Sequence, residues 1–117
     1  MKILLVDDEL ELVSALSERL SFRGFETEWV TSGEEAIEKV SAGKFDMAIL
    51  DVKMPRISGL ELRNKLEKIC PSLKFIFLSG HGSEDDYNEG SCGADCYLIK
   101  PVKIENLVER INIALGL

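Results

Sequence analysis

The chain has no apolar run approaching the about 18 residues that a membrane-spanning helix needs. Its N-terminus carries one lysine, a short apolar stretch and then acids, which is not the pattern of a secretory leader. No membrane partner and no export are expected, and a cytoplasmic location is. Positive charge is also scarce: 14 Lys and Arg stand against 21 Asp and Glu, a net charge of −7. Such a chain repels phosphate backbones and anionic lipid, so nucleic acid is not expected as a direct partner. Cysteine is limited to Cys70, Cys92 and Cys96. An odd, scattered set fits reduced cytosolic thiols rather than a disulfide framework. Cys92 and Cys96 near His81 match no zinc spacing and lack a fourth ligand, so a soft-metal site is not expected there. Internal repeats and low-complexity linkers are absent. At 117 residues the chain fits one domain, with no boundary visible between 1 and 117.

What is present is a regular alternation of two hydrophobic periods. Lys2–Val6 reads as a strand. Glu9 to about Phe22 places Val13, Leu16 and Leu20 at helical spacing behind a charged face of Glu11, Glu18 and Arg19, and Gly24 closes that helix. Phe25–Val30 alternates as a half-exposed edge strand. Ser32 with Glu35, and Ser58 with Glu61, form capping boxes, in which each serine and glutamate meets an orphan amide. The first box opens a helix that Gly43 closes, and the second opens one that stops before Pro71. Phe45–Leu50 and Lys74–Leu78 are apolar strands, the latter central. A weak helix signal over Ser83–Ser91 precedes a strand at Cys96–Ile99, and Ile104, Leu107, Val108, Ile111 and Leu115 form a final helical stripe. Five strands alternating with five helices predict βαβ crossovers and a parallel sheet covered on both faces.

The polar residues of interest fall where strands end. Asp7 and Asp8 follow the first strand, Asp51 the third, Ser79 the fourth and Lys100 the fifth. In an open α/β sheet these ends share one edge, where ligands bind. Three carboxylates brought together repel one another and raise each other's pKa. A divalent cation relieves that conflict, so the pattern reads as a Mg²⁺ site around a nucleophilic Asp51.

Over its whole length the chain resembles the receiver domain of two-component response regulators. The resemblance is carried by Asp7-Asp8, by Asp51-Val52-Lys53-Met54-Pro55 with Gly59, by Ser79-Gly80, and by the run from Gly93 to Lys100-Pro101. It implies a flavodoxin-like, doubly wound sheet of order 2-1-3-4-5. It implies Asp51 as acceptor of a phosphoryl group from a phosphohistidine, delivered by a sensor histidine kinase or a phosphotransfer protein. Asp8, Asp51 and the Lys53 backbone carbonyl would be direct ligands of Mg²⁺, with Mn²⁺ as a substitute, and Asp7 would act largely through water. Lys100 would contact the phosphoryl oxygens, and a cis bond is expected before Pro101. Ser79 would donate its hydroxyl to the new phosphoryl group. Its inward movement would let Tyr97 rotate in, coupling the site to the face formed by the fourth helix, the fifth strand and the last helix.

Lys53 and His81, each two residues after a site residue, would flank the attacking water and tune the phosphoryl lifetime. Gly90 and the few apolar residues around it predict a short, weak fourth helix. The chain would phosphorylate and dephosphorylate itself but turn over no separate metabolite. A Mg²⁺-dependent phosphohydrolase is disfavoured, because that class wants an acid where Lys53 stands. A flavin-binding module is disfavoured by Asp7-Asp8-Glu9, which has the wrong charge to cradle phosphate. A phosphorylation-independent interaction module leaves the acid, serine and lysine set unexplained. An effector is expected, with a phosphorylation-dependent homodimer as one form of output. Whether the chain acts alone or as part of a longer regulator is open.

Overall fold

The computed structural model describes residues 1–54, 56–79 and 97–117. Its elements run β1 (Lys2–Val6), α1 (Leu10–Phe22), β2 (Glu26–Val30), α2 (Gly33–Ala42), β3 (Met47–Asp51), α3 (Gly59–Ile69), β4 (Lys74–Ser79), β5 (Tyr97–Ile99) and α4 (Ile104–Leu115). All strand pairs are parallel, and the order is β2-β1-β3-β4-β5. This is the doubly wound sheet expected from the alternation of periods. The helix expected over Ser83–Ser91 lies outside the described residues, as do His81, Gly90, Cys92, Cys96 and Pro55.

β1, β3 and β4 are apolar at successive positions because both faces of the sheet are covered. Alternate side chains enter two separate cores. Leu4, Val6, Leu50 and Phe77 meet Ala36 and Val40 of α2 and Leu62 and Leu66 of α3 on one face. Ile3, Leu5, Ile49 and Leu78 meet Val13, Leu16 and Leu20 of α1 and Leu107 and Ile111 of α4 on the other. Each fully buried Leu or Ile contributes roughly 1.5–3 kcal/mol of transfer free energy. β1 and β3 are therefore firmly held, and their carboxyl ends are fixed points for a site.

Local signals set the element ends. Gly24 adopts φ +92° just after α1, a left-handed conformation that glycine enters without a Cβ penalty. The Ser32 and Ser58 hydroxyls accept from the Glu35 and Glu61 backbone N–H groups at 3.2 and 3.1 Å. The glutamate half of each box differs from expectation. The Glu35 and Glu61 carboxylates accept from the serine hydroxyls themselves at 3.1 and 3.4 Å. A hydroxyl can donate and accept at once, so one serine serves both bonds.

β2 lies at the sheet edge, as its alternation implied. Thr27 turns inward, where its hydroxyl lies 2.7 Å from that of Ser17 on α1. Trp29 stays 39% exposed, because an edge strand has no neighbour on one flank. β3 begins at Met47 rather than Phe45. Asp46 is occupied with Lys2, accepting the Lys2 backbone N–H on its carboxylate at 2.8 Å.

Candidate functional site

The carboxyl ends of β1, β3, β4 and β5 lie side by side. In register, Val6 faces Leu50, Asp51 faces Leu78, and Ser79 faces Ile99. The backbone pairing continues into the first residue of each loop. The Asp7 N–H reaches the Val30 carbonyl at 3.3 Å, Val52 N–H reaches Leu78 at 3.0 Å, and Lys100 N–H reaches Ser79 at 2.7 Å. Asp51 and Ser79 are the last residues of their strands rather than the first of their loops. The side chains that could do chemistry are thus held by the sheet itself.

Asp7, Asp51 and Ser79 are buried, while Asp8 is exposed. Carboxylate oxygens of Asp7, Asp8 and Asp51 all lie within 4.8 Å of one another. Into this group reaches Lys100, whose Nζ lies 2.9 Å from Asp7, 3.3 Å from Glu9 and 3.4 Å from Asp51. Burial, and after it the charge of Asp7, push the Asp51 carboxyl up to about 6, against the pull of Lys100 and of the Lys53 backbone N–H. Burial draws the Lys100 ammonium down, but its contacts with Asp7, Asp51 and Glu9 outweigh this and leave it raised. One lysine does not fully neutralise the acids, and Asp51 bears the remaining strain.

The donor set suits a small hard cation. Clustered carboxylate oxygens are the ligand type of Mg²⁺ and Mn²⁺, not of soft metals.

The loop after β3 is folded tightly over Asp51. Gly59 donates its N–H to the Val52 carbonyl at 2.8 Å, and a Cβ at Gly59 would collide with the Asp51 carbonyl oxygen. Glycine is thus required by close approach to the phosphoacceptor candidate. Lys53 is exposed beside this loop. Tyr97 is buried, its ring stacked on Phe77 with centroids 5.1 Å apart. The Lys100-Pro101 bond is cis, as the resemblance implied.

The sheet edge brings Asp7, Asp8, Asp51, Ser79 and Lys100 together; His81 lies outside the described residues. Sequence reasoning missed Glu9 as a member of the group. Its place directly after the acid pair was the available signal.

The family described as response regulator receiver domain matches residues 3–112. The response regulator MprA of Mycobacterium leprae is 38% identical over 98% of this chain and 51% of its own length. The two-component response regulator PhoP of Pseudomonas aeruginosa is 37% identical over 98% of this chain and 52% of its own. The chain therefore spans about half the length of the curated relatives it matches. A crystal structure of a receiver domain protein from Clostridium thermocellum superimposes with a TM-score of 0.89 at 33% identity, covering 98% of this chain and 94% of that one. A CheY-like receiver domain protein from Methanospirillum hungatei gives the same TM-score and identity, over 98% and 93%. With the fold, the acid group and these relatives in agreement, the chain belongs to the receiver domain family of two-component response regulators, which signal by phosphorylation.

Proposed function

We propose that this chain accepts a phosphoryl group on Asp51 from the phosphohistidine of a sensor histidine kinase or a phosphotransfer protein. The observation that carries this is the buried Asp51 carboxylate, 3.4 Å from Lys100 and grouped with Asp7 and Asp8. An Asp51 oxygen forms the new bond to phosphorus as the donor's P–N bond breaks. The electron pair of that bond returns to the imidazole nitrogen, which takes up a proton. Phosphoryl transfer asks the protein mainly for positioning and for charge to meet the equatorial oxygens. Lys100 supplies a point charge, and the Ser79 hydroxyl supplies a hydrogen bond once the group is in place.

Asp8, Asp51 and the Lys53 carbonyl would hold Mg²⁺ or Mn²⁺, with Asp7 acting through water. A bound cation would neutralise charge on the acids and the incoming group. The chain acts on itself, forming and hydrolysing its own acyl phosphate, and processes no separate metabolite. The change at Ser79 passes to Tyr97 and on to the face around β5 and α4, where an effector or a second copy would read it. By the resemblance, Lys53 and His81, the latter outside the described residues, would flank the path of the hydrolytic water. Lys53→Ala is expected to alter the lifetime of the phosphorylated form more than its rate of formation. Equal lifetimes would remove Lys53 from that role.

The test is incubation with a small phosphodonor, with and without Mg²⁺, followed by intact mass. One phosphoryl adduct should form, depend on Mg²⁺, and be lost in Asp51→Asn. An adduct that persists in Asp51→Asn would place the acceptor elsewhere.

A further inference from the structure

Glu9 stands at the N-cap of α1, where its carbonyl accepts the first helical N–H, from Val13, at 3.0 Å. The same position in α2 and α3 is a serine whose side chain caps the helix. Glu9 makes no side-chain cap bond. Its carboxylate instead accepts from Lys100 Nζ at 3.3 Å. Its backbone N–H meanwhile donates to Asp7 Oδ1 at 2.9 Å, and Asp7 Oδ2 takes Lys100 at 2.9 Å. Glu9 thus touches both the lysine and the acid that the lysine pairs with.

An ammonium has three protons to donate. Three carboxylates surround Lys100: Asp7, Glu9 and Asp51. Asp51 is the acceptor and Asp7 belongs to the cation group. Glu9 belongs to neither, and its exposed side chain is free to let go. A lysine that turns toward a phosphoryl group must give up one partner, and Glu9 is the partner whose loss leaves the rest of the site intact.

We propose that Glu9 is a positioning residue that tethers the Lys100 ammonium toward the mouth of the site before phosphorylation and releases it as the phosphoryl group forms. This rests on Asp51 as phosphoacceptor. Glu9 therefore sets how readily Lys100 is recruited, without touching the reacting atoms.

Two variants separate the tether from the simple negative field. Glu9→Gln removes the charge. Glu9→Asp keeps it, but the shorter carboxylate falls short of Lys100 and is a favoured N-cap, drawn to the amides of α1. The first readout is the ¹⁵N resonance of the Lys100 ammonium in the cation-free full chain, identified by its loss in Lys100→Arg. A tether predicts that it shifts and exchanges faster with water in both variants, with the remaining spectrum preserved. An unmoved resonance in either variant overturns the proposal. The second readout is phosphorylation by a small phosphodonor. Both variants should react about fivefold faster, the size expected for losing one partly exposed ion pair. Faster reaction in Glu9→Gln alone would assign the effect to charge and overturn the tether. If no protein forms an adduct at Asp51, the functional reading fails, while the ammonium signal still decides whether Glu9 holds Lys100.

Discussion

Gly59 lies against the backbone of Asp51 so closely that any Cβ there would collide with the Asp51 carbonyl oxygen. The neighbouring contacts, the Asp51 carbonyl carbon and Val52 Cα at 3.0 Å, are also backbone, so no side chain can swing aside to make room. Gly59→Ala is expected to destabilise the fold by about 3 kcal/mol, the upper end for overpacking. Urea unfolding checks this. A loss below about 0.5 kcal/mol, the range of a neutral surface substitution, would mean that the loop yields.

Asp51 carries a measurable penalty of its own. Its carboxyl titrates at about 6 in the fold against 3.8 when free. A folded pKa above the unfolded one means that ionisation opposes folding. The penalty is absent below the unfolded value, grows as pH rises between 3.8 and about 6, and is constant above that. Asp51→Asn should therefore be more stable than wild type at pH 7 in chelator, by roughly 1–3 kcal/mol. The advantage should vanish near pH 4 and shrink when Mg²⁺ is added, because a cation that binds the native wild type stabilises it. Equal or lower stability of Asp51→Asn at pH 7 without cation would contradict the site's electrostatics.

Much of this was legible in the chain because period and punctuation agree. The run Met47-Ala48-Ile49-Leu50 is apolar on both faces, as a central parallel strand must be. Ser32 and Ser58 mark helix starts through a bond that depends only on local sequence. The acids and Lys100 could be placed on one edge because alternation forces parallel strands. What was not legible depends on side chains meeting across the fold. The Ser17–Thr27 hydroxyl pair joins a helix to an edge strand, and neither residue announces it. The turn of Glu9 toward Lys100 spans 91 positions. The glutamates of the capping boxes chose the serine hydroxyl over the amide, a choice between two partners a few ångströms apart that residue type does not decide.

Arg56 holds φ +72° in the loop between β3 and α3. A left-handed conformation costs a residue with a Cβ roughly 1–2 kcal/mol. Its ion pair with Glu34, 3.9 Å long and exposed at both ends, offsets little of that. Glycine avoids the Cβ penalty but loses more chain entropy on folding. Arg56→Gly is therefore expected to raise stability by up to about 1 kcal/mol. Thermal unfolding reads the effect, and a clear loss would show that Arg56 makes contacts that outweigh its backbone strain.

The central claim is that a single carboxylate, at the end of β3, takes the phosphoryl group. Borohydride reduces an acyl phosphate to the alcohol and releases phosphate, so a phosphorylated aspartate becomes homoserine. Peptide mapping after phosphorylation in Mg²⁺ and reduction should find homoserine at position 51 and at no other acid. Homoserine at Asp7, Asp8 or Asp46, or none anywhere in a protein that has gained a phosphoryl group, would contradict it.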